Sequence, residues 1–295
     1  MFDLHMHSDN SSDGVLSPYE ILTIARSRGI NLFSITDHNS VASADIMKWH
    51  ECKFGGNTLF VNGVELSLYH GDREVHVCAY GYDASCPMLA SVLEKFNRNK
   101  NHQAELRVEK LQDIGFRVDY KEVMKASGGK MPSGVTMLQV LSRYTENREA
   151  LHDYLEGDKS DSPYTNFYFD YFTKGGLAYV DVRLLDFYEV VEKLKNRCVL
   201  VIAHPKLYSD RKIEELMVDG IDGLEVYSSY HNADDIKFYN SFAKDNDYLI
   251  TAGSDFHGDR IKPRVNLARH GCEDHSVAVN FLERVTSFKN GHIFI

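Results

Sequence analysis

The chain has 295 residues, of which 43% are hydrophobic and 26% charged, and a formal net charge of −10. That length holds one large domain or two ordinary ones, and the composition is globular, neither disordered nor collagen-like. The acidic balance argues against a general nucleic-acid or membrane-surface binder, which needs a basic face. Bound metal reverses the local sign, so anionic substrates stay open. The five cysteines, Cys52, Cys78, Cys86, Cys198 and Cys272, form no CxxC pair and read as free thiols in a reducing cytosol. No basic-then-apolar leader is visible and no apolar run approaches ~18 residues. A cytoplasmic protein without a membrane span is expected.

Taken in chain order, short apolar runs alternate with amphipathic stretches. Phe2–Met6 reads as a buried strand. Ser17, Pro18 and Glu20 supply an N-cap, a proline at the first helical position and an acid at the third, predicting a helix to Ser27 that stops at Gly29. Leu32–Thr36, Leu59–Val64 and Val75–Tyr80 follow as strands. The rhythm breaks at residues 99–177: a charged helix at His102–Ile114, a second near Val135–Tyr144, and an aromatic, loop-like run at Tyr164–Phe172. This stretch reads as an insertion domain, mainly helical, between barrel segments 1–98 and 178–295. Ala178–Val182 is a further candidate strand. Beyond it come helices at Tyr188–Asn196, Lys212–Val218 and Asp234–Asp245. They alternate with strands at Val199–Ala203, Gly223–Tyr227 and Tyr248–Ala252. Alternating β and α units imply a parallel sheet, either a barrel or a doubly wound fold.

The C-terminal ends of these strands carry the chemistry. The first ends in His5-Met6-His7, whose imidazoles, two residues apart on a strand, face the same side. The second runs into Asp37-His38, the third into Glu65, and the fourth contains His76. Later strands run into His204, Glu225 with Tyr227, and Asp255-Phe256-His257. Asp13 lies in a loop just before the Ser17 helix start. One such residue usually serves packing, but ligand-type groups at the same end of nearly every strand do not. In β/α barrels that end holds the active site, and imidazole with carboxylate suits Zn²⁺, Mn²⁺ or Fe²⁺. His270 and His275 fall outside the pattern and are expected at the surface.

The ordered set His5-x-His7, Ser12-Asp13-Gly14, Thr36-Asp37-His38, Gly63-Val64-Glu65, His76, Ala203-His204-Pro205 and Gly253-Ser254-Asp255-Phe256-His257-Gly258 resembles the PHP (polymerase and histidinol phosphatase) family of metal hydrolases. Within it the arrangement is most similar to the nucleotide phosphoesterases, which also carry an insertion. The resemblance implies an α/β fold, a distorted (β/α)7 barrel with an insertion domain that covers substrate, and a site for three divalent metal ions. One ion would take His5, His7, Glu65 and Asp255. A second would share Glu65 and add His76 and His204. The third would take Asp13, His38 and His257. The family segment often containing Arg-Pro-His reads Lys130-Met131-Pro132-Ser133-Gly134 here, without histidine, and Ser133 is the candidate substrate contact in it.

These residues predict a metal-dependent phosphoesterase acting on phosphate monoesters of nucleotides or short oligonucleotide ends. A hydroxide bridging two ions through Glu65 would attack phosphorus in line. His231 would protonate the leaving oxygen or bind phosphate, and Lys206 and Arg211 would meet phosphate. Asp37 would either fix an imidazole tautomer or initiate a helix. The partner is a small phosphorylated substrate, with no membrane and no long nucleic-acid track; the oligomeric state is open. C–N hydrolysis on the same barrel and a non-catalytic metal-binding module are the alternatives. No Walker A loop, Rossmann fingerprint or nucleophile elbow is present.

Overall fold

A computed structural model describes residues 1–54, 58–128, 132–209, 212–288 and 293–294. The chain divides into two compact units, Met1–Leu93 with Leu185–Ile295 (unit 1) and Glu94–Leu184 (unit 2).

Unit 1 begins with β1 (Phe2–Asp3), α1 (Pro18–Ser27), β2 (Leu32–Phe33), α2 (Ala42–Phe54), β3 (Leu59–Val61), β4 (Gly63–His70) and β5 (Arg73–Tyr80). Helix α3 (Pro87–Asp113) leads into unit 2, which adds α4 (Tyr120–Ala126), α5 (Gly134–Leu141), α6 (Arg148–Leu155) and α7 (Pro163–Phe172). Unit 1 resumes with α8 (Phe187–Leu194), β6 (Val199–Ile202), α9 (Lys206–Ser209), β7 (Gly223–Ser228), α10 (Ala233–Asp245), β8 (Leu249–Gly253), α11 (His275–Ser287) and β9 (Ile293–Phe294).

Unit 1 is a mixed α/β body with two sheets, ordered β1-β2-β3-β9 and β4-β5-β6-β7-β8. The pairs β1–β2, β2–β3, β6–β7 and β7–β8 are parallel. Isolated parallel bridges join the sheets at two places, Met6 with Phe256 and His38 with Glu65. Backbone bonds from Leu4 N–H to the Ala252 carbonyl and from Asp255 N–H to the His5 carbonyl reinforce the first of these.

The sheet is not parallel throughout, as β4–β5 and β5–β6 are antiparallel. The expected strand Leu59–Val64 is split at Asn62: Leu59–Val61 stays in the first sheet, while Gly63 opens β4 of the second, which runs to His70, so only Gly71 and Asp72 separate it from β5. Two residues can close a hairpin but cannot make a parallel crossover. Gly71 takes φ +66°, the left-handed conformation such a turn requires.

The start of α1 is as the sequence predicts: Ser17 accepts from Glu20 N–H while the Glu20 carboxylate accepts from Ser17 N–H. Its inner face, Ile21, Leu22 and Ala25, packs with Ile30, Phe33, Ile35, Phe60 and Phe256 into one apolar cluster. A second cluster joins Leu4, Tyr80 and Val201 to Phe281 and Val285 of α11.

Three element expectations are corrected. Tyr164–Phe172 is helical, not loop-like: Pro163 starts α7, and Phe167 and Tyr171, one turn apart, stack with ring centroids 4.4 Å apart. Ala178–Val182 forms no strand. Lys212–Val218 contains only a 3-10 turn at Ile213–Glu215. His270 is buried, not at the surface, with Nε2 donating to the Phe2 carbonyl at 2.8 Å. His275 opens α11 and is exposed, as expected. Unit 2 has its own apolar core, built on Leu111, Val123, Leu138, Leu141, Leu151 and Phe167. Among the described residues no helix is long and apolar enough to cross a membrane, and Cys78, Cys86, Cys198 and Cys272 are free.

Candidate metal centre

Loops after β1, β2, β6 and β8 bring most of the candidate ligands to one buried place in unit 1; Glu65 does not end a strand as expected but lies near the start of β4, and His76 sits in the middle of its antiparallel partner β5. Around β1, His5 and His7 bring their Nε2 atoms to 3.2 Å from each other. Both nitrogens face Glu65 Oε2, at 3.3 and 3.2 Å, and Asp255 Oδ1, at 3.4 and 3.0 Å. The four ligand atoms of His5, His7, Glu65 and Asp255 all lie within 4.8 Å of one another.

The Glu65 carboxylate is completely buried and central. Its Oε2 lies 3.1 Å from His38 Nδ1. Its Oε1 lies 2.9 Å from both His76 Nδ1 and His204 Nε2. On the other side of His7, Asp13 Oδ2 is 3.3 Å from His257 Nε2 and 3.6 Å from His38 Nε2. The structure thus brings together all nine predicted metal residues. The groupings differ slightly from the implied ones: His38 joins Glu65 and His76 in a tight set, and His7 joins Asp13, His38 and His257 in another.

These contacts have the geometry of a cage for cations. His257 Nδ1 lies 2.9 Å from the Asp255 carbonyl, which can only accept, so Nδ1 carries the hydrogen. In the neutral ring Nε2 then presents a lone pair to the Asp13 carboxylate. Burial, the largest influence, lowers the pKa of His257 and favours that neutral ring. Glu65 Oε2 and Asp255 Oδ1 are buried and lack a hydrogen-bond partner among the described residues, although imidazole nitrogens surround both. Carboxylate oxygens and imidazole nitrogens converging in this way can share a cation between them once the rings give up their extra protons, and the donor set fits divalent transition metals.

Electrostatics agree. Burial opposes the charge on Glu65 and on Asp255, but surrounding imidazoles, with Lys262 at Asp255, outweigh it and hold both well below the usual carboxylate range. Burial likewise opposes charge on His7 and His76. The carboxylates beside them prevail, raising His7 to about 9 and His76 to about 10. Burial dominates at His38 and lowers it to about 3.

The backbone is strained at two of the candidate ligands. His204 and Asp255 sit at φ +26° and +54°, where non-glycine residues are uncommon. Gly253 makes the close packing possible: a Cβ there would come 2.1 Å from His5 Cβ and 2.6 Å from Glu225 Oε1.

The predicted residues outside the ligand set fare differently. His231 donates from Nδ1 to the Val226 carbonyl at 2.8 Å, and its buried Nε2 has no partner among the described residues. Burial, above all, lowers its pKa. Lys206 is ion-paired with Asp235. Arg211 lies outside the described residues, as do Lys130 and Met131. Ser133 belongs to unit 2, where its hydroxyl caps α5 by accepting from Thr136 N–H. Asp37 serves a structural role: its carboxylate accepts from Ser8 N–H at 2.6 Å and from the Ser8 and Ser43 hydroxyls, tying the loop after β1 to α2.

Two further residues contribute: Lys262, which the sequence did not single out, and Glu225, which it placed at a strand end without a role. Lys262 donates to Asp255 Oδ2 and to the Tyr230 hydroxyl, and nothing in its local sequence separates it from other lysines. Glu225 contacts His5 and His204. A carboxylate in the apolar run Gly223-Leu224-Glu225-Val226 was the available signal.

Residues 3–164 match the PHP domain. The chain belongs to the PHP family. It is 26% identical over 265 residues to a 5'-3' exoribonuclease of Haemophilus influenzae, covering 87% of this chain and 89% of that protein. It is 27% identical over 267 residues to a 3',5'-nucleoside bisphosphate phosphatase of Chromobacterium violaceum, covering 86% of each. A solved structure described as a metal-dependent phosphoesterase, from Bifidobacterium adolescentis, superposes with a TM-score of 0.73 at 22% identity and covers 96% of both chains, which shows the shared fold. With this family and this ligand cluster, the chain is a metal-dependent phosphoesterase, a hydrolase acting on ester bonds.

Proposed function

We propose that the chain removes phosphate from nucleotides or short oligonucleotide ends, a phosphomonoesterase working with three divalent ions, Mn²⁺, Zn²⁺ or Fe²⁺. The observation that carries the reading is the position of Glu65. Its two oxygens face imidazoles on opposite sides, His5, His7 and His38 on one and His76 and His204 on the other. That is the donor arrangement of a carboxylate shared between ions. His5, His7, Glu65 and Asp255 would hold one ion, and Glu65, His76 and His204 a second. Asp13, His38 and His257 would hold the third. When bound, the ions supply Lewis acidity to the phosphoryl oxygens and lower the pKa of water, so that it attacks phosphorus near neutral pH.

The chain's own residues set the geometry of that attack. Glu65, buried and ionised, fixes the spacing of the two imidazole groups that face it. Asp255 is oriented from outside by Lys262. His231 keeps Nε2 as an acceptor, so it must take a proton before it can give one to a leaving oxygen. Lys206 and Arg211, just after His204 in the chain, are the proposed phosphate contacts. We take the two sheets of unit 1 as one distorted (β/α)7 barrel carrying the centre, and residues 99–177 as the insertion that reads the substrate. The nucleotide assignment rests on the relatives, whose names specify a nucleoside bisphosphate and an RNA end.

The test is phosphate release from nucleoside 5′- and 3′-monophosphates, 3′,5′-bisphosphates, short oligonucleotides and histidinol phosphate, each with Mn²⁺ and with chelator. Chelator-sensitive release that favours nucleotides is expected. Bound metal with no release from any ester would remove the phosphatase reading and direct the search to C–N bonds or a binding role.

A further inference from the structure

The buried carboxylate of Glu225 is a member of neither the ligand set nor the apolar core, and it sits on β7 with 2% of its surface exposed. Burying a carboxylate is costly unless its oxygens are satisfied. Both oxygens of Glu225 are used, and both on candidate ligands. Oε1 lies 3.2 Å from His5 Nδ1, and Oε2 accepts from the backbone N–H of His204 at 2.8 Å. We propose that Glu225 is a positioning residue for the metal centre, setting the tautomer of His5 and clamping the strained backbone of His204 with one carboxylate.

The chemistry of each contact leads there. An ionised carboxylate only accepts, so the hydrogen of the His5 ring is on Nδ1. Nε2 is then the nitrogen with the free lone pair, and Nε2 is the atom that faces His7, Glu65 and Asp255. A ligating histidine whose far nitrogen donates to a carboxylate is fixed in ring orientation and made more basic toward the ion. At His204 the φ of +26° is unfavourable for a side chain with a Cβ. The bond from its N–H to Glu225 is one of the contacts that offsets this strain, and it keeps Nε2 at 2.9 Å from Glu65 Oε1. Glu225 thereby couples β1, the loop after β6 and β7. Gly253 of β8 leaves the space this carboxylate occupies, since a Cβ there would come 2.6 Å from Glu225 Oε1.

The inference rests on the metal reading given above, and it makes a discriminating demand. Both partners of Glu225 are donors, so two acceptor oxygens are needed. Glu225→Gln keeps the size but has one acceptor, and it must turn an amide N–H toward either His5 Nδ1–H or His204 N–H. The experiment titrates Mn²⁺ into the full-length wild-type chain and into Glu225→Gln, with folding checked by circular dichroism. A loss of affinity of about 10- to 100-fold in the variant is expected. Equal affinity in a folded variant would overturn the positioning role alone. Failure of the wild-type chain to bind would overturn the metal reading and this inference with it. A second measurement needs no variant: ¹⁵N-histidine spectra of the Zn²⁺-loaded wild-type chain. An Nδ1–H signal at His5 is expected, and an Nε2–H form would overturn the proposal. A purely structural contact would leave the Mn²⁺ affinity of the folded variant unchanged.

Discussion

The two units bury different things. Unit 1 encloses Asp3, His5, His7, Asp37, Glu65, His204, Glu225, Asp255 and His257, all below 5% exposure. Unit 2 buries chiefly Leu, Val, Met, Phe and Tyr, with a few polar groups such as Gln103, Arg107 and Asn147. Asn147 is satisfied locally: its amide donates to the Arg117 and Leu141 carbonyls, and its oxygen accepts from Arg117 N–H. In unit 1 the polar groups are of two kinds. Asp3 and Asp37 are saturated by serine hydroxyls and backbone N–H groups. Glu65 Oε2 and Asp255 Oδ1 lack hydrogen-bond partners among the described residues. The difference teaches how to tell a supporting buried acid from a working one. The supporting acid is saturated by hydroxyls and backbone N–H groups, and the working acid faces ring nitrogens with which it can share a cation.

The sharpest way to break this comparison is to remove the shared carboxylate. Glu65→Gln is expected to lower Mn²⁺ affinity by more than about 100-fold, because loss of a ligand exceeds the usual cost of losing an outer partner. Metal titration checks this, and affinity within threefold of wild type would show that Glu65 is no bridge. The matching change in unit 2 is Leu141→Ala, in the middle of that core. It is expected to cost about 2–5 kcal/mol of stability, read by urea unfolding, with the number of ions bound unchanged. A loss of bound metal in folded Leu141→Ala would end the separation of the two roles.

A smaller effect concerns protons. With His7 raised to about 9 and His76 to about 10, both rings carry a proton at neutral pH in the metal-free chain. A ligand nitrogen must be free of that proton, so loading releases it and affinity rises with pH, less steeply above about 9 and up to about 10. Mn²⁺ is therefore expected to bind about tenfold more weakly at pH 6.5 than at pH 7.5 for each displaced proton. Calorimetry in two buffers of different ionisation enthalpy counts the protons directly. Flat affinity across this range would mean that both rings are already neutral.

Most of the candidate ligands were legible because chemistry and position coincided: His5 and His7 follow β1 two residues apart, and His204, Asp255 and His257 follow β6 and β8, whereas Glu65 lies near the start of β4 and His76 in the middle of β5. The capping box at Ser17 was legible for the same reason, as two local signals agree at one place. Strand direction around Glu65 was not. The alternating run Leu66-Ser67-Leu68-Tyr69 extends β4 past its first apolar stretch, and only with that extension does the Gly71-Asp72 turn show itself as a hairpin. Lys262 was illegible because its role depends on Asp255 and Tyr230 meeting it in space. Helix α7 was missed because its aromatic residues are weak helix formers, and the packing of Phe167 on Tyr171 one turn apart overrides that preference.

The smallest expected effect separates a cap from a substrate contact. Ser17 and Ser133 each cap a helix, one in each unit, by accepting from an N–H three residues on. Loss of such a cap costs about 1 kcal/mol, so Ser17→Ala and Ser133→Ala should each destabilise by about that amount. Ser133 also lies in the stretch read from sequence as a substrate contact. Its hydroxyl is engaged by α5, with Thr136 N–H at 3.3 Å, and that is a sufficient reason for a serine at this place. The expectation is that KM for a nucleotide substrate changes by less than about twofold in both variants, and that Ser133→Asp, which restores the cap, recovers the stability. A selective rise in KM for Ser133→Ala, absent in Ser17→Ala, would return Ser133 to the substrate site and give unit 2 a share in recognition that its buried residues do not disclose.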